Sequence, residues 1–292
     1  MTNKKIKDAI LAYEQNHKIY DYIYLNDELY INNSEERIYM FNGIDTNKLI
    51  KHSGPIKPNS VIYFEMNNGQ EDYKRVIDFI RNFSNERHVL IADGGDGTVY
   101  PYEIPENILQ VYCPNFRFNH PKYKIFPRGI LKVTYKIYMD INIDKIYKTE
   151  KVYCNFNPGV SQERINDFKY WQTQTWVKKE HGISQDEYFI NLFRHKFNIC
   201  TVGIGAGVCH GYPADTYRIY ESLLCGTFPI VRKHPLNIAL HKDLNLPLLL
   251  VDDWEEVVER NLDLEFNRLS SICSLEAITE SYWINRIRSH FN

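Results

Sequence analysis

Apolar positions along this chain switch repeatedly between two periods. Val61-Ile-Tyr-Phe64 is a short β-rich run, and residues 71–83 (EDYKRVIDFIRNF) place Val76, Ile77, Phe79, Ile80 and Phe83 at helical spacing. Residues 88–92 (HVLIA) and 108–113 (ILQVYC) then read as two further strands. Strand–helix–strand spacing of this length predicts a parallel sheet with crossover helices. Residues 114–128 (PNFRFNHPKYKIFPR) hold three prolines and read as irregular, and a helical run around 129–139 leads into a second half. That half restarts with the strand Val152–Phe156. A helix from Ser161 carries Arg164, Phe168 and Trp171, and another spans about 184–195. The strand Phe197–Val202, a helix from Asp215 to Leu224 stopped by Gly226, and the strands Phe228–Val231 and Leu246–Val251 follow. Helices over about 254–270 and 274–290 end the chain.

The expected fold is therefore α/β, with two Rossmann-like doubly wound domains at 1–150 and 151–292, joined near 140–152. The last helix, with Trp283, is expected to pack back on the first domain. Composition agrees with a globular chain: of 292 residues, 43% are hydrophobic and 25% charged, which excludes disorder, collagen and coiled coil. The net charge of −2 gives no broad footprint for nucleic acid or an anionic membrane surface. Six cysteines without a CxxC pair suit neither a disulfide scaffold nor a structural zinc site, so buried thiols in a reducing compartment are expected. No run approaches 18 apolar residues, and the polar N-terminus has no apolar core segment. A cytoplasmic protein without a membrane span is the expectation; its oligomeric state is open.

The densest chemical signal is residues 197–231 (FNICTVGIGAGVCHGYPADTYRIYESLLCGTFPIV). A strand runs into Gly203-Ile-Gly205-Ala-Gly207, and a helix then opens at Asp215 and Thr216. Glycines at the carboxyl end of a parallel strand let backbone approach a ligand, and the next helix N-terminus offers free N–H groups to a phosphate. Arg218 and Glu221, three apart, share a helix face. An arginine there can grip a diphosphate, and a glutamate one turn on can accept hydrogen bonds from ribose hydroxyls. The same residues also fit an Asp N-cap, a solvent-side Arg–Glu pair and glycines that only make turns.

The segment from Asp215 to Val231, DTYRIYESLLCGTFPIV, matches D-[ST]-x-R-x-x-E-[AS]-L-x-x-G-x-x-P-[IV]-[VI]. It resembles the donor-binding segment of exostosin-type glycosyltransferases and, more loosely, of two-domain nucleotide-sugar transferases with the GT-B fold. The match is close over about 35 residues and holds in outline over the C-terminal half. Seven residues, Val208 to Ala214, separate the glycine run from Asp215, more than the pattern has. The resemblance implies a donor-side domain at 151–292, an acceptor-side domain at 1–150 and a cleft between them. It implies a UDP- or GDP-sugar donor, a glycan or other hydroxyl acceptor, inversion at the anomeric carbon, no cofactor and no tightly bound metal. Glu221 would contact the donor ribose and Arg218 the diphosphate. Arg164, in the first turn of the helix after the restart strand, would reach the phosphates or be an exposed helix arginine.

Asp93-Gly-Gly-Asp-Gly-Thr98 follows a strand directly and resembles the phosphate-cradling loop of diacylglycerol, sphingoid and NAD kinases. Pro101 and Pro105 then stand where those kinases open a helix. A lipid- or nucleotide-kinase-like enzyme is one alternative, and a catalytically silent nucleotide-sugar-binding protein is another. In the glycosyltransferase reading the general base comes from the first domain, with Asp96 as the candidate; a tight Asx turn is the plainer role. Asp140-x-x-x-Asp144 lacks metal-site spacing, and His120 and His210 are lone loop histidines. Tyr170, Trp171 and Trp176 fit core packing better than stacking on a base or sugar.

Overall fold

The computed structural model describes residues 22–25, 28–31, 50–51, 53–65, 70–93, 102–113, 120–127, 129, 132–143, 146–159, 162–202 and 216–292. They fall into two units, one of residues 22–127 with 280–292 and the other of 129–202 with 216–279. Among the described residues no helix is long and apolar enough to cross a membrane.

The first unit is built on a seven-stranded sheet in the order β3-β2-β1-β4-β5-β6-β7. Its strands are β1 (Tyr22–Leu25), β2 (Glu28–Ile31), β3 (Ile50–Lys51), β4 (Ser60–Glu65), β5 (His88–Asp93), β6 (Ile108–Cys113) and β7 (Tyr123–Ile125). The first three pair antiparallel, whereas β1, β4, β5, β6 and β7 run parallel. Strands β4 and β5 are almost wholly apolar, and β6 is interrupted only by buried Gln110, because both faces are covered. Helix α1 (Gln70–Phe83) lays Tyr73, Val76, Ile77 and Ile80 against Ile62, Phe64, Leu90, Ala92, Val111 and Cys113. On the alternate side of β6, Tyr112 meets Trp283 of α8 (Glu280–Arg288) edge-on at 5.8 Å, and Phe126 meets it at 5.1 Å. Within the stretch expected to be irregular, β7 is a strand. At three residues, with Lys124 between buried Tyr123 and Ile125, it is too short for its alternation to stand out among prolines.

The second unit carries a five-stranded, all-parallel sheet in the order β12-β11-β10-β8-β9. Its strands are β8 (Glu150–Cys154), β9 (Val177–Lys179), β10 (His195–Ile199), β11 (Phe228–Arg232) and β12 (Leu249–Val251). Helices α2 (Lys132–Asp140), α3 (Gln162–Thr173), α4 (Gln185–Arg194), α5 (Tyr217–Leu224), α6 (Pro235–Lys242) and α7 (Leu262–Ile272) surround it. Chain order runs outward from β8 to β9, then returns past β8 to β10, β11 and β12. The direction of winding therefore reverses between β8 and β10. Val152, Cys154, Phe197 and Ile199 face Trp171 of α3 and Leu262 and Leu269 of α7. The alternate positions face α4 and α5: Tyr153 lies against Tyr188, and Asn198 Nδ2 donates to Ser222 Oγ at 2.9 Å.

Local chemistry sets the helix ends. Ser184 and Glu187 form a capping box at the start of α4. At its other end the buried Lys148 Nζ donates to the carbonyls of Leu192 (3.3 Å), Phe193 (3.3 Å) and His195 (3.0 Å) and to Thr227 Oγ1 (2.8 Å). That ammonium satisfies carbonyls the helix leaves open. Helix α5 closes with Gly226 N–H donating to Leu223 O (2.9 Å) and Thr227 N–H to Ser222 O (2.9 Å), a reverse turn that needs the φ of +63° at Gly226. Helix α6 opens with proline at its first position, a start signal the sequence reading passed over. The helix expected over about 254–270 is instead two 3₁₀ turns, Trp254–Glu256 and Glu259–Asn261, before α7 begins at Leu262. Between them the β-branched pair Val257 and Val258 takes extended geometry, with ψ of 99° and 121°. Extended Thr279 likewise confines the last helix to Glu280–Arg288.

His195, the first residue of β10, is wholly buried. Its Nδ1–H donates to Asn191 O at 2.6 Å, its Nε2 has no hydrogen-bond partner, and burial pushes its pKa down to about 4. An unfolded histidine takes up its proton near pH 6.5, so this group's contribution to stability is intact above that pH and is lost toward pH 4. Between pH 7 and pH 4.5 the wild type should lose about 2 kcal/mol more unfolding free energy than His195→Phe, at 1.36 kcal/mol per pH unit of depression. Urea melts at the two pH values measure this, and parallel losses would contradict the assignment.

Candidate functional site

The carboxyl ends of β8 and β10 flank the point where the sheet's winding reverses, the place where open α/β sheets form a crevice. After β8 the chain makes an Asx turn, with Gly159 N–H donating to Asn157 Oδ1 at 2.9 Å and Gly159 at φ +61°. It then enters α3, whose first turn carries Arg164. This side chain is fully buried, stacked 5.3 Å from the centroid of Phe156. Its Nε donates to Asn157 O at 3.0 Å, Nη2 bonds the same carbonyl, and Nη1 donates to Val202 O at 2.7 Å. Arg164 is thus no exposed helix arginine: it ties the loop after β8 to the segment after β10.

Arg218, in the first turn of α5, grips the same loop from another helix. Its Nε donates to Asn155 O at 3.0 Å. Burial, followed by the charge of Arg218, pushes Arg164 down to about 10, while Asp167 acts in the opposite sense. Arg232, at the end of β11, is different. It meets Asp167 at 3.0 Å and Glu163 at 3.5 Å, and Trp254 Nε1 donates to Asp167 Oδ1 at 2.7 Å. Arg232 is neutralised by carboxylates, whereas Arg164 and Arg218 bond backbone carbonyls.

One turn along α5, Glu221 is 9% exposed. Burial raises its pKa, and the Arg218 charge and a hydrogen bond from Tyr188 lower it. Tyr188 OH, from α4, donates to Glu221 Oε2 at 3.0 Å. Although Arg218 and Glu221 are i, i+3 neighbours, they form no ion pair within 4.0 Å. Each has its own tether, Asn155 O for the arginine and Tyr188 for the glutamate. Thr216 takes the N-cap position of α5 with extended geometry (φ −126°, ψ 149°) but makes no side-chain cap bond. Its hydroxyl, and that of Thr201 after β10, are buried without a hydrogen-bond partner. Buried hydroxyls are ordinarily satisfied, so the Thr216 orphan at the N-terminus of α5 marks acceptor and donor capacity that the protein leaves open.

Of the donor-site and general-base candidates, Arg164, Thr216, Arg218 and Glu221 are described, and all four belong to the second unit. Gly203, Gly205 and Asp215 lie outside the described residues, as does Asp96 with the loop that follows Asp93. Sequence reasoning missed Tyr188, Thr201 and the carbonyls of Asn155 and Asn157. The N-P-G turn directly after the restart strand was a usable signal for the last two; nothing local linked Tyr188 to Glu221. Tyr170 and Trp176 pack edge-on against buried Trp171, at 5.0 and 6.3 Å. Cys113, Cys154, Cys200 and Cys225 are buried free thiols, and Cys273 is half-buried. Among the described residues no group of three or more His, Cys, Asp or Glu side chains is placed to hold a metal ion.

The described chain is a mixed α/β protein of two units, the first built on a mixed sheet with a parallel block and the second on an all-parallel sheet, each covered by helices. No protein-family model matches it, and no curated protein does. Among solved structures it is similar to an alpha-glucosyltransferase in complex with UDP-glucose and DNA containing an abasic site. The TM-score is 0.28 and the identity 8%, over 79% of this chain and 74% of that one.

Replacing Arg164 by Met removes the donors to Asn157 O and Val202 O while keeping an apolar stem over Phe156. The expected cost is about 1–3 kcal/mol in urea unfolding. Arg164→Lys should recover only part of it, because an ammonium cannot reproduce the guanidinium fork. Wild-type stability in Arg164→Met would show that the clamp contributes nothing.

Proposed function

We propose that this protein is a glycosyltransferase that moves a sugar from a nucleoside diphosphate sugar to a hydroxyl acceptor. The observation that carries the reading is the group at the winding reversal. Two guanidinium groups bonded to backbone carbonyls stand close to each other, and a buried glutamate lies one helical turn from Arg218. The two positive groups suit a diphosphate, and the spacing along α5, about 5 Å at 1.5 Å per residue, suits a ribose beside it. Arg218 keeps its Nη groups for the phosphates, with the N-terminal N–H groups of α5 and the Thr216 hydroxyl beside them. Glu221 Oε1 accepts from the ribose hydroxyls. Arg164 acts through its charge and by holding the loop that Arg218 leans on.

In this reading the acceptor hydroxyl loses its proton to a general base, attacks the anomeric carbon, and the nucleoside diphosphate leaves with its bond electrons. Positive groups fixed beforehand stabilise the departing charge. The finer elements of the proposal come from the resemblance of residues 215–231 to exostosin-type enzymes. These are a GT-B-like arrangement with a cleft, 1–150 as the acceptor side and 151–292 as the donor side, UDP or GDP as the nucleotide, inversion, and Asp96 as the base. Gly203, Gly205 and Asp215 join the donor loop in the same reading.

Calorimetric titration with UDP and GDP tests the site. Glu221→Ala should weaken binding by roughly tenfold to a few hundredfold, since hydrogen bonds to a charged group contribute about 1.5–3 kcal/mol. Glu221→Gln, which keeps an acceptor oxygen, should weaken it less. Unchanged affinity in a folded Glu221→Ala protein would end the donor-site reading. Because guanidinium groups supply the counter-charge, nucleotide binding should persist in EDTA. A loss that Mg²⁺ or Mn²⁺ restores would instead make a cation part of the site.

A further inference from the structure

We propose that Tyr188 is a positioning residue of this site: from α4 it holds Glu221 away from Arg218, so that both charged groups stay open to a nucleotide. The inference rests on the reading of Arg218 and Glu221 as a nucleotide site.

An Arg and a Glu three apart on one helix face ordinarily find each other, since their Cβ atoms lie about 5–6 Å apart. Inside a protein, where water competes little, that attraction is stronger than on a surface. Here the pair is not made. Glu221 Oε2 accepts from the Tyr188 hydroxyl at 3.0 Å, across 33 residues of sequence, and Arg218 Nε is turned onto Asn155 O at 3.0 Å. Each tether occupies one end of its group and leaves the other: Oε1 of the glutamate, and both Nη nitrogens of the arginine.

Tyr188 can act as a fixed point because its helix is held at both ends, by the Ser184–Glu187 capping box and by Lys148 on its last carbonyls. Its ring lies 6.1 Å from that of Tyr153 and 5.5 Å from that of Phe189. The groups facing Glu221 from the elements around it are Arg218 of α5, Tyr188 of α4 and Cys200 after β10. Burial raises the pKa of the tyrosine and pushes the cysteine up to about 12, so both are neutral at working pH. Arg218 is then the one charge beside the carboxylate among these groups, and the Tyr188 hydroxyl is the one hydrogen bond that favours its ionised form.

Removing that hydroxyl has two consequences. The carboxylate is free to close on Arg218, which takes up both ligand-binding groups at once. That ion pair lowers its pKa, so that a protonated Glu221 appears only at a lower pH than in the wild type.

Calorimetry with UDP and GDP from pH 5 to pH 8 tests this on the full chain, using wild type, Tyr188→Phe, Glu221→Ala and the double variant. Folding of each is checked by circular dichroism. Tyr188→Phe should bind about 5- to 30-fold more weakly at pH 7, and the acid-side loss of affinity should move down by about one pH unit. The double variant should bind no more weakly than Glu221→Ala alone, because the tyrosine acts through the glutamate. If the wild type binds either nucleotide but folded Tyr188→Phe keeps its affinity and its pH profile, the positioning role is wrong and the nucleotide site stands. A Tyr188→Phe loss that persists in full on the Glu221→Ala background also overturns it. If the wild type binds neither nucleotide, the site reading itself falls.

Discussion

The second unit depends on how one three-residue loop is held. Asn155, Phe156 and Asn157 leave the carboxyl end of β8, and two arginines from two helices bond their carbonyls. Burying a guanidinium is costly unless its N–H groups find acceptors. Here backbone oxygens supply them. A carboxylate in that place would have satisfied the hydrogen bonds and cancelled the charge as well. Arg232, two strands away, shows that arrangement with Asp167 and Glu163, and it is a structural tie. The carbonyl arrangement satisfies geometry yet leaves two positive charges close together, that of Arg218 helping to lower the proton affinity of Arg164.

The topology explains why this occurs here. On either side of the winding reversal, α3 packs on one face of the sheet and α5 on the other. Arg164 reaches from Asn157 O, after β8, to Val202 O, after β10. Ser222, held by Asn198 of β10 and donating to Arg218 O, fixes α5 against the sheet below Arg218. The opposite wall is α4, pinned by Lys148 and Thr227 at the end away from Tyr188. Rigid packing beneath and on both sides lets Arg218 and Glu221 remain apart, although the two would attract each other in solution.

Several features were open to a reader of the chain alone. The alternation of β-rich runs with helical periods marks the parallel strands of two α/β sheets, because period 2 and period 3.6 place apolar groups on faces that only such layers bury. The antiparallel edge of β2 and β3 on the first sheet was not marked by it. Gly226 marks the end of α5, since a positive φ is cheap only for glycine. The Arg218–Glu221 spacing puts both residues on one helix face by geometry alone. Short elements escaped: β7 and β9, three residues each, are too brief for a period to register. The Val257–Val258 break was hidden by an amphipathic pattern that runs on across it.

What the tertiary structure decided is the state of those same residues. Local sequence allowed Arg218 and Glu221 to be an ordinary surface pair and Arg164 to be an exposed helix arginine. Burial, the Tyr188 hydroxyl from another helix and the carbonyls of a loop 63 residues away from Arg218 made them otherwise. A helix face is set by neighbours three and four positions along the chain, so sequence can place a side chain on it. Whether that side chain is paired, buried or left open depends on groups distant in sequence, and only folding brings them within hydrogen-bond reach.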